Sequence, residues 1–228
     1  MLGWEISVPG LLLARRAKSP ADLGALFWFA PNDAGSVFQD SAETQPVSAL
    51  DDRIHVIRDK SGAGRHLRAS APPERPLWKQ GEGWDNGAPG LGLRMAQDVN
   101  VREVFMACRY EDGVLATFSE YKTLMTDLAG IDTPTPNRVM GRRFEDVLHV
   151  QTFEVQKPGA AFGVLLLPLP MTVLRLRRKD GAAWPVGAFG TTNNANVYRP
   201  WTGRIGGIAG FDRALSDEEA SAVVGALS

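Results

Sequence analysis

The sequence predicts an all-β protein, a sandwich of short strands followed by one short helix at the C-terminal end. The chain has 228 residues, and its 24 glycines and 15 prolines divide it into many short apolar runs. Such punctuation is typical of short strands joined by turns and argues against a helical bundle. The length suits one large sandwich, or at most two small domains.

Apolar runs of strand length occur along most of the chain. They cover residues 25–30, 54–58, 103–110, 114–119, 121–127, 138–144, 147–155, 161–167 and 172–178. Within the run 147–155, the alternation of side chains predicts one shared face. That face carries Leu148, Val150, Thr152 and Glu154. The sequence Lys179-Asp180-Gly181 predicts a turn, and the Pro- and Gly-rich residues 71–90 predict a loop or long connection.

The one clear helix pattern lies at the C-terminal end. Ser216 is suited to the N-cap position, and Glu219, three residues later, completes a capping box. An apolar stripe follows at helical spacing, formed by Ala220, Val223, Val224 and Leu227. We expect this helix to lie on the sandwich and to depend on packing, because Gly225 weakens its intrinsic propensity.

Composition limits the classes of function. With 25 basic and 26 acidic residues, the chain has no overall attraction to nucleic acid or anionic lipid. No apolar run approaches the roughly 20 residues that a membrane span needs. The single cysteine, Cys108, excludes an intrachain disulfide and a thiolate zinc cluster. We expect Cys108 to be a small buried residue on a strand.

Residues 1–20 have the composition of a separate N-terminal arm, and residues 21–228 form the predicted sandwich domain. The arm lacks a basic start and a long apolar run, so we expect cytoplasmic synthesis without a cleaved signal peptide. Its apolar and basic residues are candidates for docking onto a neighbouring protein, with packing onto its own domain as the alternative. These candidates are Trp4, Ile6, Leu11, Leu12, Arg15 and Arg16.

Residues 28–78 contain a group of motifs, of which Asp59-Lys60-Ser61-Gly62-Ala63-Gly64-Arg65-His66 is the longest. Asp59 can accept hydrogen bonds from backbone amides two residues later, and Gly62 and Gly64 can adopt positive φ angles. His66 is then expected to begin the next strand. Together with Phe38-Gln-Asp-Ser-Ala42 and Arg75-Pro-Leu77, this segment resembles the opening of concanavalin A-like domains common in phage and prophage structural proteins.

Residues 203–219 form a second such segment, which contains the run Phe211-Asp-Arg-Ala-Leu-Ser216. It resembles the last strand and terminal helix of laminin-G-like domains. The resemblance covers residues 28–219 and implies a jelly-roll sandwich in which the first and last strands lie close together. The first ten residues also resemble the starts of small phage-like virion proteins. The resemblances imply a structural component of a phage, prophage or gene-transfer particle, located in that particle; this fold hosts enzymes, lectins and scaffolds alike.

The paired carboxylates of glycosidases with this fold are missing from the sequence. Such enzymes carry Glu-x-Asp-x-x-Glu or Glu-x-Asp-x-Glu on one strand, which places acid and nucleophile on one face. Glu145 and Asp146 are adjacent instead, so on a strand they point to opposite faces. His55, His66 and His149 lie far apart in sequence. We therefore predict that the protein is not an enzyme.

The best candidate for ligand binding is the stretch 191–201, where amides and hydroxyls lie beside aromatic rings, as sugar recognition requires. The candidate carbohydrate-binding residues are Asn193, Asn194, Asn196, Tyr198, Trp201 and Trp84. In the favoured alternative, Trp201 and Tyr198 pack at the sandwich edge. The arginines at 142–143 and at 175, 177 and 178 are expected to be solvated, with a contact to a subunit or acidic glycan as alternative.

Taken together, these patterns predict a virion-type structural and adhesion module. We expect contacts with other particle proteins through the arm, binding of host-surface polysaccharide at rim loops, and homo- or hetero-oligomers. A purely structural decoration or connector protein without a glycan ligand is one alternative, and a carbohydrate-active enzyme is a second. We predict no cofactor and no metal, with a rim Ca²⁺ ion, which relatives of this fold sometimes hold, as the alternative.

Overall fold

A computed structural model of the protein describes residues 18–69, 75–86, 92–110, 121–129, 139–142, 147–149, 152–163, 169–190 and 201–228. Within these residues the chain forms two antiparallel β-sheets and one α-helix. The predicted all-β sandwich with a short C-terminal helix is thereby confirmed. Three parts of the prediction lie outside the described residues: arm residues 1–17, the predicted strand 114–119, and most of the predicted strand 161–167.

Short strands follow one another along the chain and end at a single helix. In chain order the elements are β1 (Phe27–Phe29), a 3-10 turn (Ala34–Ser36), β2 (Val37–Phe38), β3 (Val56–Ile57), β4 (Leu67–Ala69), β5 (Leu77–Lys79), β6 (Gly83–Asp85), β7 (Leu93–Val101), β8 (Glu103–Tyr110), β9 (Tyr121–Thr126), β10 (Val139–Arg142), β11 (Val147–His149), β12 (Phe153–Gln156), β13 (Leu169–Arg178), β14 (Trp184–Phe189), β15 (Gly203–Phe211) and α1 (Asp217–Leu227).

Two sheets divide the strands between them. Among the described residues, sheet I has seven strands, in the order β12-β13-β8-β15-β6-β5, and β1 also pairs with β15. Sheet II has eight, in the order β11-β10-β9-β14-β7-β4-β3-β2. Along β15, β6 pairs with the N-terminal half and β1 with the C-terminal half. The first and last strands are therefore neighbours, as the resemblance implied.

Aromatic side chains join the facing surfaces of the two sheets. Phe189 of sheet II lies edge-on to Phe27 and Phe29 of sheet I, with ring centroids 6.0 and 6.2 Å apart. Phe153 of sheet I and Trp184 of sheet II meet in the same way at 5.1 Å. All five rings are fully buried. The core therefore lies between the sheets, which makes the molecule a face-to-face sandwich.

Strand β8 is buried on both faces. Met106 and Cys108 point into the core between the sheets, whereas Phe105 and Ala107 lie in a second apolar cluster that includes residues of α1. Cys108 is fully buried, as predicted, and burial raises the pKa of its thiol above the ordinary value. The second cluster shows that α1 covers the outer face of sheet I.

The predicted capping box begins helix α1. Ser216 Oγ accepts the Glu219 backbone N–H, and the Glu219 carboxylate accepts the Ser216 N–H at 2.9 Å. Ala220, Val223 and Leu227 are buried against sheet I, and Val224 is half-buried. The helix end comes so close to β15 that a Cβ at Gly207 would overlap Leu227. The glycine at position 207 leaves the space that the helix needs to pack on sheet I.

The turn at 59–66 forms as the sequence predicts. Asp59 Oδ1 accepts the Ser61 N–H at 2.9 Å, which is the expected Asx-turn, and also the Trp28 N–H at 2.9 Å. Gly62 and Gly64 have φ angles of +90° and +70°. The next strand begins at Leu67, one residue later than predicted.

Several strands were not predicted from the sequence. Within the predicted connection 71–90, β5 and β6 form a hairpin, and β7 and β14 were missed altogether. The pairing of β7 with β14 shifts register, and residues 96–98 are exposed, so β7 lacks a regular alternation. The prediction of a single strand at 147–155 is wrong. It divides into β11 of sheet II and β12 of sheet I, so the predicted common face does not exist.

Candidate functional site

The ends of segment 191–200 are held together at one buried point. The carbonyl of Gly190 accepts the Trp201 backbone N–H at 2.7 Å and the side-chain amide of Asn86 at 2.6 Å. The Gly190 N–H in turn donates to the Leu124 carbonyl at 2.8 Å. The two residues that flank the segment, Gly190 and Trp201, are therefore fixed to each other and to strands of both sheets. We call these four residues the root of segment 191–200.

The root requires glycine at position 190. Its φ angle is +79°, and a Cβ there would overlap the Asn86 side chain. Asn86 is buried, and among the described residues its Oδ1 atom has no hydrogen-bond partner. The same holds for the buried Oγ1 of Thr202. Buried polar atoms are normally paired, so these two oxygens, one in the root and one in the residue after Trp201, are exceptions within the described residues.

The two tryptophans proposed to contact sugar are buried. Trp201 lies edge-on to Tyr110 with centroids 5.1 Å apart, and its indole N–H donates to the Arg109 carbonyl at 2.9 Å. Trp84 belongs to the core between the sheets. Neither side chain has exposed surface, so neither ring can stack on a sugar in this structure. Trp201, like Trp84, belongs to the core cluster between the sheets.

The remaining candidate residues fall outside the described part of the chain. These are the carbohydrate candidates Asn193, Asn194, Asn196 and Tyr198, and the docking candidates Trp4, Ile6, Leu11, Leu12, Arg15 and Arg16. Their roles stay predictions. The structure does describe the residues at which the arm and segment 191–200 are attached to the sandwich.

The arm joins the sandwich at the opposite end of β15 from the root. Residues 19–24 form a turn, and the Leu26 N–H then donates to the Gly210 carbonyl at 2.7 Å. Leu23 is buried in the cluster under α1. The root adjoins the other end of β15, at Gly203. Gly203 and Gly210 are seven residue steps apart on an extended strand, a distance of roughly 24 Å.

The prediction of a solvated arginine face is wrong for Arg175. Its side chain is buried on the outer face of sheet I, where its Nε lies 3.0 Å from Oε1 of the fully buried Glu103. Arg177 and Arg178 are more exposed and pair with Glu154 and Asp180. A groove of about 430 Å³ lies between α1 and the residues after β12, and Arg175 lines it.

Several titratable side chains in the described parts of the two sheets have specific hydrogen-bond partners or pKa values moved from the ordinary range. No three His, Cys, Asp or Glu residues come close enough there to hold a metal ion. Burial, followed by the charges of Arg75 and Arg68, lowers the pKa of His55. His66 accepts the Asp59 N–H at its Nδ1 atom, at 3.1 Å, and so belongs to the turn. Burial, with a contribution from Asp127, raises the pKa of Asp98.

Comparisons with known proteins gave no match to a protein family, to a curated protein or to a solved structure. Among the described residues, no helix is long and apolar enough to cross a membrane. The proposed function therefore rests on the sequence resemblances and on the geometry of this chain.

Proposed function

We propose that this protein is a non-catalytic structural and adhesion module of a phage-like particle. In this proposal the sandwich is a concanavalin A-like jelly roll, the arm 1–20 docks on other particle proteins, and segment 191–200 binds host-surface polysaccharide. The two recognition elements act from opposite ends of one rigid platform.

One observation carries the proposal, namely the attachment of the arm and of segment 191–200 at opposite ends of β15. Leu26 is bonded to Gly210 at one end, and the root lies beyond Gly203 at the other. A protein that links a particle to a surface needs its two contacts to face away from each other. β15 lies in the interior of sheet I, bonded to β8 along one side, so the spacing of the two contacts is fixed by the core.

The root supports the assignment of segment 191–200 as the recognition element. Loops that bind ligands work best on a rigid base, because less conformational entropy is then lost on binding. Gly190 is tied to both sheets, through Leu124 of sheet II and through Trp201 and Asn86 beside sheet I. The segment itself is rich in amides and hydroxyls, which can form hydrogen bonds with the hydroxyl groups of a sugar.

The glycan-binding half can be tested on a glycan array. We expect the intact protein to bind a bacterial surface polysaccharide and the variant Asn193→Ala/Asn194→Ala/Asn196→Ala/Tyr198→Ala to lose that binding. Asn100→Ala, an exposed asparagine on β7, is the matched control and should bind as the parent does. Loss of binding in the control as well, or binding by the quadruple variant, would exclude segment 191–200 as the glycan site.

The docking half needs a different variant. Deleting residues 1–17 leaves the turn at 19–24 intact and removes all six docking candidates. We expect the truncated protein to fold, as judged by thermal unfolding, but to be absent from purified particles. Incorporation equal to that of the full chain would contradict a docking role for the arm.

A second candidate function is a purely structural decoration or connector protein. The burial of Trp84 and Trp201 favours it, because two of the three aromatic rings expected to contact sugar face the core instead. Normal particle incorporation combined with an empty glycan array would select this candidate over the first.

A further inference from the structure

A depression of about 310 Å³ lies beside the turn at 59–66, between the start of β4 and the exposed bulge of β7. Arg65, His66 and Arg68 line one side and Gln97 the other, and the residues that line it include no carboxylate. All four of these side chains carry nitrogen donors that can approach one small ligand. The depression lies on sheet II and does not involve the root of segment 191–200.

Arg65 is the central residue of this depression. Its Nη1 atom donates to the Leu26 carbonyl, which fixes the guanidinium in a half-buried position. Among the described residues Arg65 forms no ion pair, whereas Arg58 and Arg68 nearby both do. Its Nε and Nη2 donors therefore remain available. A guanidinium that is held in place without a direct ion pair is suited to bind an oxyanion with two parallel hydrogen bonds.

His66 adds a donor of defined direction. Its Nδ1 atom accepts the Asp59 backbone N–H at 3.1 Å, so the proton of the neutral imidazole must lie on Nε2. Within the described part of the chain, no protein group accepts that Nε2 proton. The turn therefore orients His66 so that its Nε2–H can donate at the edge of the depression.

The charges around the depression favour an anion. Glu43 is held by Arg58 at 2.6 Å and by Arg68 at 2.9 Å, so two arginines share one carboxylate. The other nearby carboxylate, Asp59, has its oxygens occupied by the Trp28, Ser61 and Arg65 backbone amides. Arg65 itself forms no ion pair within the described chain, and two arginines share the single Glu43 carboxylate, so positive charge is in excess beside the depression.

We propose that this depression binds an oxyanion, a phosphate, sulfate or carboxylate group, through Arg65 and His66 with Gln97 at its rim. The anion is either free in solution or carried by an acidic polysaccharide. In the second case the site rests on the proposed function, and it adds a charged contact that does not involve the root of segment 191–200.

The test is a titration of the ¹⁵N-labelled full chain with inorganic phosphate, followed by backbone amide shifts. We expect saturable shifts at residues 61–66, and Arg65→Gln should weaken phosphate binding about tenfold. Because Arg65 also bonds Leu26, a second variant avoids any change in the turn. Gln97→Glu places a negative charge at an exposed position of the rim and should weaken binding by a similar factor. Asn100→Glu adds the same charge on β7 outside the depression and should bind phosphate normally.

Shifts that do not saturate, or equal weakening by Gln97→Glu and Asn100→Glu, would overturn the site. A second titration uses a polyuronate, which is acidic, and a neutral dextran in place of phosphate. Polyuronate binding that depends on Arg65 assigns the polysaccharide as the source of the anion, and phosphate binding alone assigns a free anion. If the protein binds phosphate but binds nothing on the glycan array, the oxyanion site is supported and the adhesion role is rejected. The two proposals can therefore be rejected independently.

Discussion

Arg175 and Glu103 form a buried ion pair beneath the start of helix α1. Nη2 of Arg175 lies 2.8 Å from Oε1 of Glu103, and the two side chains are 8% and 0% exposed. The second oxygen of Glu103 accepts the Leu215 N–H at 3.0 Å, and the Arg175 guanidinium donates to the Leu215 carbonyl at 2.6 Å. The pair therefore holds both backbone groups of the residue that precedes the N-cap.

Replacing Arg175 with Met should be strongly destabilising, because it leaves the Glu103 carboxylate buried without its partner. We expect a loss of about 3–5 kcal/mol in the free energy of unfolding, measured by urea denaturation. The double variant Arg175→Met/Glu103→Gln should recover part of this loss, since a neutral amide can still accept the Leu215 N–H. Arg178→Met is the control, because its partner Asp180 is exposed, and it should cost less than about 1 kcal/mol. Equal losses for Arg175→Met and Arg178→Met would contradict the importance of the buried pair.

The N-cap of α1 should contribute measurably to stability. Ser216→Ala removes the acceptor of the Glu219 N–H and is expected to lower the free energy of unfolding by about 1 kcal/mol. Ser221→Ala, at an exposed position inside the same helix, is the comparison and should be close to neutral. The prediction fails if chemical denaturation gives the same value for both variants.

Acid should weaken the start of α1. The Arg213 side chain, helped by the Ser216 N–H, lowers the pKa of Glu219 from 4.5 to about 2. Because the unfolded chain takes up this proton first, the stabilisation is complete above pH 4.5 and is lost as the pH falls towards 2. Stability measured from pH 6 to pH 2 should therefore decline less steeply in Glu219→Gln than in the parent chain. Parallel curves would show that Glu219 has no part in the acid response.

Two glycines should respond to alanine in opposite directions. At Gly210 a Cβ would overlap the Phe27 ring, so Gly210→Ala should destabilise by about 1–3 kcal/mol. At Gly225 an added Cβ meets no atom within 4 Å, and the residue is exposed within α1. Gly225→Ala should stabilise by roughly 0.5–1 kcal/mol through helix propensity. Thermal and urea unfolding would measure the change in the free energy of unfolding for each variant. A change of the same sign in both variants would contradict the expected contrast.

Local chemistry explains which elements could be predicted. The turn at 59–66 and the capping box at 216–219 are built from hydrogen bonds between residues within a few positions of each other. Strand β8 was predicted with its observed bounds because its apolar run is uninterrupted. By contrast β7 carries a bulge, and β5 and β6 are three residues each, so none of them leaves a regular pattern.

The sequence by itself determined the strand-rich class, the terminal helix with its cap, and the sharp turn that positions His66, because each depends on backbone preferences over a few residues. The tertiary structure alone decided that Arg175 is buried, that Trp84 and Trp201 face inward, and that Arg65 lines a depression free of carboxylates. Which partner a side chain meets is set by the stacking of two sheets and by contacts between residues far apart in the chain, such as Glu103 and Leu215, which are 112 positions apart. No local pattern of residues contains that information.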